Sequence, residues 1–161
     1  MQRIEINKSE YPHFIGCWDI ENTSLCKKLI DFFENNLSKQ VQGITASGRD
    51  LTKKKRIDIK ITPNDLKNDK YLVFKDYINE LHNCYLDYLL QWPFLKTVLK
   101  EIDIESFNIG RYEVGDHFGI THSERTSQNT LHRFFAFMTY LNDVENGGET
   151  NFSHFKIKIK P

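Results

Sequence analysis

The stretch from Tyr71 to Gln91 constrains the fold of this chain most strongly, because its pattern is that of one long amphipathic helix. Apolar and aromatic residues recur there at three- and four-residue spacing, which places them on one stripe of a helix. They are Val73, Tyr77, Leu81, Tyr85 and Tyr88, with Phe74, Ile78 and Leu89 widening the stripe. Pro93 stops or kinks the helix. We interpret the stripe as core packing, so another layer of the protein must cover it.

A second helix is predicted upstream. Residues 13–20, HFIGCWDI, have the apolar content of a buried extended segment. Asn22 or Thr23 then offers a side-chain cap for a helix that we expect to end near Leu37. The apolar residues of this helix are Leu25, Leu29, Phe32 and Phe33.

Between the two helices the chain is mostly polar. The exception is RIDIKIT, where Ile57, Ile59 and Ile61 alternate with polar residues, as in a half-buried strand. The basic run from Lys53 to Arg56 lies beside this strand in a polar stretch. We expect that run to be a solvated loop without a function of its own.

From Ile102 onward the sequence consists of short alternating runs separated by Gly, Asn and Asp, which is typical of β structure. We therefore predict an α+β fold, with N-terminal helices packed against a later antiparallel sheet or jelly roll. At 161 residues the chain has the size of a single domain. Its helical support region would cover residues 1–100 and its β region residues 101–161.

Composition narrows the class of protein. The 22 basic and 22 acidic side chains cancel, so no overall positive field is available to attract nucleic acid or anionic lipid. The three cysteines form no CxxC pair and no disulfide framework. No apolar run is long enough to span a bilayer, and the N-terminal residues lack the apolar core of a secretory signal. We expect a soluble, cytoplasmic protein with thiols that are reduced and mostly buried.

The pair His122 and Glu124 is the candidate metal-binding motif. We expect it at the end of a strand that begins near Ile109, where residues two apart share a face and can converge on one ion. A histidine and a carboxylate supply two corners of the facial triad that binds ferrous iron. By itself, however, a histidine two residues before an acidic residue is also typical of a chance pair on the protein surface or of an ordinary hydrogen-bonded pair.

The neighbouring residues strengthen this interpretation. RYEVGDHFGITHSE and RFFAFMTYLNDVENGGETNF, followed by IKIKP, resemble the prolyl 4-hydroxylase-like branch of the Fe(II)/2-oxoglutarate dioxygenases, in particular its short phage and bacterial members. The N-terminal FIGCWDIENTSLCKKLIDFFE is similar to the opening helix of that family. The resemblance implies that the jelly roll is a double-stranded β-helix.

The resemblance also implies roles for particular residues. His122 matches the first iron-binding histidine, and Glu124 matches the carboxylate ligand, where most of the superfamily has an aspartate that is one methylene shorter. Tyr112 and Tyr140 match tyrosines whose phenols hydrogen-bond 2-oxoglutarate, although both could instead be core tyrosines that only need a hydrogen-bond partner. Arg133 and the GGET turn match structural positions and are assigned no chemistry.

The implied cofactors are Fe(II), 2-oxoglutarate as co-substrate, and ascorbate. The implied substrate is a prolyl or other peptidyl side chain of a peptide or protein, with a small molecule as the alternative. No nucleic acid or membrane partner is expected, the oligomeric state is left open, and the expected location is the cytoplasm of a bacterial or phage-infected cell.

One departure from the family pattern leaves two functions open. The family has a second iron-binding histidine and a basic residue well beyond the GGET turn, whereas His132 and His154 come too early to match that ligand. We expect residues 101–161 to form only the first half of the β-helix, without its last strands. The chain would then be a C-terminally truncated gene product or fragment, or a partner chain would supply those strands. The chain is thus either a dioxygenase or a non-catalytic binding or assembly module of the same fold. A zinc hydrolase would need an HExxH motif or a cysteine cluster, and the sequence has neither.

Overall fold

The computed structural model of the protein describes residues 1–6 and 12–161, and these form helices and four small antiparallel sheets. In chain order the helices and strands are β1 (Gln2–Arg3), β2 (Trp18–Asp19), α1 (Thr23–Glu34), β3 (Val41–Gln42), β4 (Lys54–Lys55), β5 (Ile57–Ile61), α2 (Leu72–Gln91), α3 (Leu95–Val98), β6 (Phe107–Arg111), β7 (His117–Phe118), β8 (Thr150–Phe152) and β9 (Ile157–Ile159). Short 3₁₀ turns connect several of them.

Helix α1 begins where the sequence predicts. The side-chain oxygen of Asn22 accepts a hydrogen bond from the Leu25 backbone N–H at 3.1 Å, which satisfies one of the free N–H groups of the first turn. The helix ends at Glu34, three residues before the expected end, and a 3₁₀ turn at Leu37–Lys39 follows. The preceding segment 13–20 is half-buried rather than buried, and only Trp18–Asp19 of it is a strand.

Helix α2 confirms the long amphipathic pattern. It spans Leu72–Gln91 and ends just before Pro93, as a proline requires. Phe74 and Tyr77 of the stripe enter the main core, where they meet α1 and the central sheet. Further along, Tyr88 and Leu89 form a second, smaller cluster with Leu95.

The central sheet has the order β3-β5-β6, so the predicted strand at RIDIKIT lies in its middle. Ile59 pairs with Ile109 across the antiparallel register, and both are buried against the helices. Ile61 is fully buried as well. The sheet therefore joins a strand from the predicted support region to the first strand of the predicted β region.

The β region is less regular than its alternating sequence suggests. Within the described residues it contains β6 to β9 in short pairs and no closed barrel, so the jelly roll stays a prediction. Residues 133–142, part of the run RFFAFMTYLNDVENGGETNF that the sequence predicts to be β structure, are irregular and have no partner strand among the described residues, which corrects that prediction. Instead its aromatic rings pack sideways, with Phe135 against Tyr88 of α2 and Phe137 against Phe107 of β6. The alternation of apolar and polar residues would give a strand one buried and one exposed face. A strand also needs a neighbouring strand to satisfy its backbone hydrogen bonds.

The expectation of a solvated loop at Lys53–Arg56 is wrong. Lys54 and Lys55 form β4, which pairs with β7, and only 6% of Lys54 is exposed. Lys54 and Arg56 both turn toward Asp58 of β5, a carboxylate that is 5% exposed. Two of the four basic side chains of the run thus neutralise this buried acid, whereas Lys53 and Lys55 are exposed and pair with Asp50 and Asp116.

Two further features of the described residues concern cysteines and membranes. Cys17, Cys26 and Cys84 are free, with Cys84 buried and the other two half-buried. Burial raises the pKa of all three thiols, which keeps them protonated near neutral pH. Among the residues that the structure describes, none of the helices is long and apolar enough to cross a membrane.

The burial of Tyr77 predicts a loss of stability at alkaline pH. Burial raises the pKa of this phenol to about 12, above its usual value of 10.0, although the Thr139 hydroxyl 2.8 Å away opposes the shift. The folded state therefore keeps a proton that the unfolded state loses above pH 10, so stability falls as pH rises from 10 toward 12. We expect wild type to lose about 1 kcal/mol through this group by pH 11. Urea unfolding at pH 8 and pH 11 measures this loss, which should be absent from Tyr77→Phe. An equal loss of unfolding free energy in wild type and Tyr77→Phe would contradict the prediction.

Candidate metal site and the charged layer behind it

The structure places the four predicted site residues outside regular strands. Tyr112 directly follows β6, and Tyr140 lies in the irregular segment that precedes β8. His122 and Glu124 lie in an irregular segment after β7. The prediction that the metal pair lies at the end of a strand that begins near Ile109 is therefore wrong.

A tight bend interrupts that strand. Gly115 adopts a φ of 82°, a left-handed conformation that favours glycine. The Asp116 carboxylate accepts a hydrogen bond from the Glu113 N–H at 3.1 Å, and the Asp116 N–H donates to the Glu113 carbonyl at 2.9 Å. After the bend the chain pairs with β4 for two residues, which makes His117 a strand residue.

His122 and Glu124 nevertheless converge. The distance from His122 Nε2 to Glu124 Oε1 is 3.5 Å, and the imidazole stacks on the Phe118 ring with centroids 4.4 Å apart. Nδ1 of His122 lies 2.9 Å from the Ile120 carbonyl oxygen. Because a carbonyl only accepts, this contact requires the proton on Nδ1. In the neutral ring Nε2 then presents its lone pair to the carboxylate. The two groups meet through a local turn rather than through strand alternation.

This arrangement fits part of a metal centre. Two acceptor atoms that face each other at 3.5 Å need a proton or a cation between them. Ligands in adjacent positions around a metal at about 2.1 Å are separated by roughly 3 Å, close to the observed spacing. The side chains are 40% and 51% exposed, so an ion could reach them. In residues 1–6 and 12–161, however, no group of three His, Cys, Asp or Glu could hold a metal. Metal binding by this pair stays a prediction.

Arg133 contacts the other side of the glutamate, and sequence reasoning assigned it no chemistry. Its Nη1 lies 3.3 Å from Glu124 Oε2 and 3.3 Å from the Glu124 carbonyl oxygen. At the same time its Nε donates to Glu105 Oε2 at 2.9 Å. The His132 imidazole contacts the other oxygen of Glu105, and together with Arg133 it holds the pKa of Glu105 below its usual range. Arg133 lies 9 residues from Glu124 and 28 from Glu105, and neither spacing is one that a helix or strand pattern would reveal.

A buried charged layer lies behind the candidate site. Asp58 Oδ2 lies 3.4 Å from Lys54 Nζ, and its Oδ1 lies 2.7 Å from Arg56 Nε. The neighbouring strand leaves room for the carboxylate, because a Cβ at Gly110 would approach Asp58 Oδ1 to 2.7 Å. Burial and then the charge of Arg56 lower the pKa of Lys54, while Asp58 and Glu124 raise it. Lys54 therefore lies within electrostatic range of the candidate metal pair.

The same layer touches two residues of the site. Lys54 Nζ lies 5.0 Å from the centroid of the Phe118 ring, the ring on which His122 stacks. Arg56 Nη1 donates to the Tyr112 hydroxyl at 3.0 Å. Asp58 thus orients two cations, one beneath Phe118 and one beside Tyr112.

The two candidate tyrosines differ in what remains available to a ligand. Tyr112 is 46% exposed, and its hydroxyl accepts from Arg56 while its own proton is donated to none of the described residues. The Tyr140 hydroxyl accepts from the Thr150 N–H at 3.0 Å and lies 2.7 Å from Thr150 Oγ1 and 3.1 Å from the Ile159 carbonyl oxygen. These contacts tie Tyr140 to the hairpin of β8 and β9 and favour the core-tyrosine alternative for it. Co-substrate binding by either tyrosine stays a prediction.

Comparison with known proteins gives one partial similarity. The chain is 35% identical over 71 residues to a protein of Arabidopsis thaliana named probable prolyl 4-hydroxylase 9. The matched part is 42% of this chain and 25% of the plant protein. This chain is a distant, partial homologue of that plant protein. No family model matches the chain, and no solved structure matches it. The similarity agrees with the dioxygenase resemblance at the level of the broad family and leaves the phage or bacterial branch untested.

Removing the charge of Asp58 tests whether the buried layer supports the fold. Asp58→Asn would leave Lys54 and Arg56 close together without their counter-ion, so we expect a loss of about 3–5 kcal/mol in the free energy of unfolding. Asp103→Asn is the matched control, because Asp103 is exposed and in none of the described ion pairs. Urea unfolding of both variants provides the measurement. Equal, small effects at the two positions would show that the layer contributes little.

Proposed function

We propose that this chain belongs to an Fe(II)- and 2-oxoglutarate-dependent hydroxylase of the prolyl 4-hydroxylase type that acts on a prolyl or other peptidyl side chain. The observation that carries the proposal is the 3.5 Å approach of His122 Nε2 to Glu124 Oε1. A histidine nitrogen and a carboxylate oxygen are the donors that a ferrous facial triad uses. The partial similarity to the plant protein named as a prolyl 4-hydroxylase supports the same chemistry.

In this proposal His122 and Glu124 hold the iron. The Ile120 carbonyl fixes the tautomer of His122, so that Nε2 is the ligating atom, and the Phe118 ring limits the orientations of the imidazole. Tyr112 offers its phenol proton to an oxygen of 2-oxoglutarate. When bound, iron and 2-oxoglutarate supply the oxidising chemistry that hydroxylates a C–H bond, with ascorbate as an accessory cofactor.

The proposed fold is the α+β arrangement of helices on a double-stranded β-helix. The irregular segment between the metal pair and β8 exposes Phe134, Phe137 and Met138, which are 51%, 44% and 56% exposed. A second sheet of such a β-helix would cover these side chains, and burial of apolar surface of this size stabilises a fold. The bacterial or phage branch and the cytoplasmic location are part of the proposal.

Anaerobic titration with Fe(II), with and without 2-oxoglutarate, followed by a succinate assay in air, tests this function. We expect saturable Fe(II) binding that 2-oxoglutarate strengthens, and succinate formation that depends on both. His122→Ala should abolish both, because it removes one of the two ligands. His154→Ala is the control, since His154 is exposed and distant in sequence from the pair. Binding that is unaffected by His122→Ala would contradict the proposed site.

The second candidate is a non-catalytic binding or assembly module of the same fold. It is favoured by the finding that the described residues contain no group of three metal-binding side chains. The same titration distinguishes the two, because a folded sample of the module would take up no Fe(II) and form no succinate.

A further inference from the structure

We propose that a groove beside β9 binds an extended acidic peptide, which adds to the molecule as a further β-strand. This β9 groove has a volume of about 380 Å³ and is lined by residues 4–6 and 156–160 and by Cys17. Its volume lies within the range of roughly 300–1,000 Å³ that is typical of ligand-binding sites. The proposal involves neither His122 nor Glu124 and is independent of the proposed iron chemistry.

One side of the β9 groove is the edge of a two-stranded sheet. Strand β9 pairs with β8, and no strand among the described residues pairs with its other edge. The Tyr140 hydroxyl contacts both the Thr150 N–H and the Ile159 carbonyl oxygen, so these two backbone groups face each other across the hairpin. Backbone groups alternate between the two edges of a strand, and those of Lys158 therefore point away from β8. They can hydrogen-bond an added strand.

The opposite side of the groove follows another strand pair. The Ile4 N–H donates to the Cys17 carbonyl at 2.9 Å, which extends the pairing of β1 and β2 by one residue. By the same alternation the backbone of the next residue, Glu5, turns away from β2, and Glu5 lines the groove. An unpaired strand edge is a site at which an extended peptide adds through main-chain hydrogen bonds.

The charged side chains of the groove favour an acidic occupant. Three lysines line it, Lys156, Lys158 and Lys160, together with one acidic residue, Glu5. The three lysines are exposed, and the ion pairs of the described residues include none of them. A concave site lined mainly by one sign of charge attracts ligands of the opposite sign. Carboxylates of an added strand that lie opposite these lysines would also form stabilising cross-strand pairs.

The alternation within β9 predicts the sequence pattern of the peptide. Ile157 is buried and Ile159 is half-buried on one face of the strand, whereas Lys158 is exposed on the other face. Across the groove the apolar side chain of Ile4 is 47% exposed. An added strand has the same period of two, so its apolar residues would extend the isoleucine face and its acidic residues the lysine face. The preferred occupant therefore alternates acidic and apolar residues.

Fluorescence anisotropy with two labelled peptides tests the proposal. One peptide of about eight residues alternates Glu and Val, and the other alternates Lys and Val. We expect the acidic peptide to bind saturably and more weakly as salt is raised, and the basic peptide to bind about tenfold more weakly or not at all. N-methylation of every second backbone nitrogen of the acidic peptide should also weaken binding about tenfold, because it removes main-chain donors that an added strand uses.

Lys158→Glu locates the bound peptide. This change replaces an attractive cross-strand pair by a repulsive one, so the acidic peptide should bind about 3- to 10-fold more weakly. The basic peptide should bind this variant more tightly than it binds wild type. Lys60→Glu is the matched control and should bind both peptides like wild type, since Lys60 is an exposed strand lysine of β5 outside the groove.

The cysteines provide a second measurement of occupancy. Cys17 lines the groove and Cys26 does not, although both are half-buried free thiols. The acidic peptide should slow the alkylation of Cys17 by iodoacetamide, measured by mass spectrometry, and leave that of Cys26 unchanged.

Several results would overturn the proposal. They are equal affinity for the two peptides, binding that N-methylation leaves unchanged, and no binding of the acidic peptide to the folded protein. A dimer in sedimentation whose Cys17 is already protected would also overturn it, because a second copy of the chain would then occupy the groove. The Fe(II) titration is unaffected by any of these results, so the proposed function is tested separately.

Discussion

The buried carboxylate of Asp58 is the constraint on which the arrangement of this molecule depends. A charge that is 5% exposed is costly unless it is paired, and Lys54 and Arg56 from the adjacent basic run provide the pairing. If these two cations moved away, the Asp58 carboxylate would remain buried without a counter-ion. The Lys54–Asp58 ion pair therefore links β4, and with it the β4–β7 pair, to the central sheet by charge.

The Asp58 ion pairs are connected to the candidate metal site through two aromatic side chains. Lys54 lies beneath the Phe118 ring and Arg56 beside the Tyr112 hydroxyl, so Asp58 sets the positions of both aromatic residues. His122 stacks on Phe118, and its approach to Glu124 depends on that support. From the other side Arg133 restrains Glu124. An irregular segment can hold a defined pair of side chains here because each member of the pair is fixed by a neighbour outside it.

The sequence predicts the helices and strands that follow from local periodicity. It does not predict the features that depend on contacts between residues far apart in the chain. The stripe in Tyr71–Gln91 and the alternation in RIDIKIT predict α2 and β5 because burial repeats along the element itself. The strand through His122 was wrong, since the bend at Gly115 sends the chain to pair with β4. The prediction of a solvated loop at Lys53–Arg56 is wrong because the sequence does not reveal its counter-ion. Asp58 alternates with core isoleucines along the strand and therefore resembles a solvent-facing residue. Arg133 gave no signal, as its two carboxylates are distant in sequence.

A crystal structure of the protein soaked with Mn(II), a divalent ion that can replace Fe(II), is the most direct measurement of the metal site. The account predicts an anomalous difference peak within about 2.2 Å of both His122 Nε2 and Glu124 Oε1. A structure at saturating Mn(II) with no anomalous peak at the pair, and with the imidazole and the carboxylate in direct contact, would contradict it.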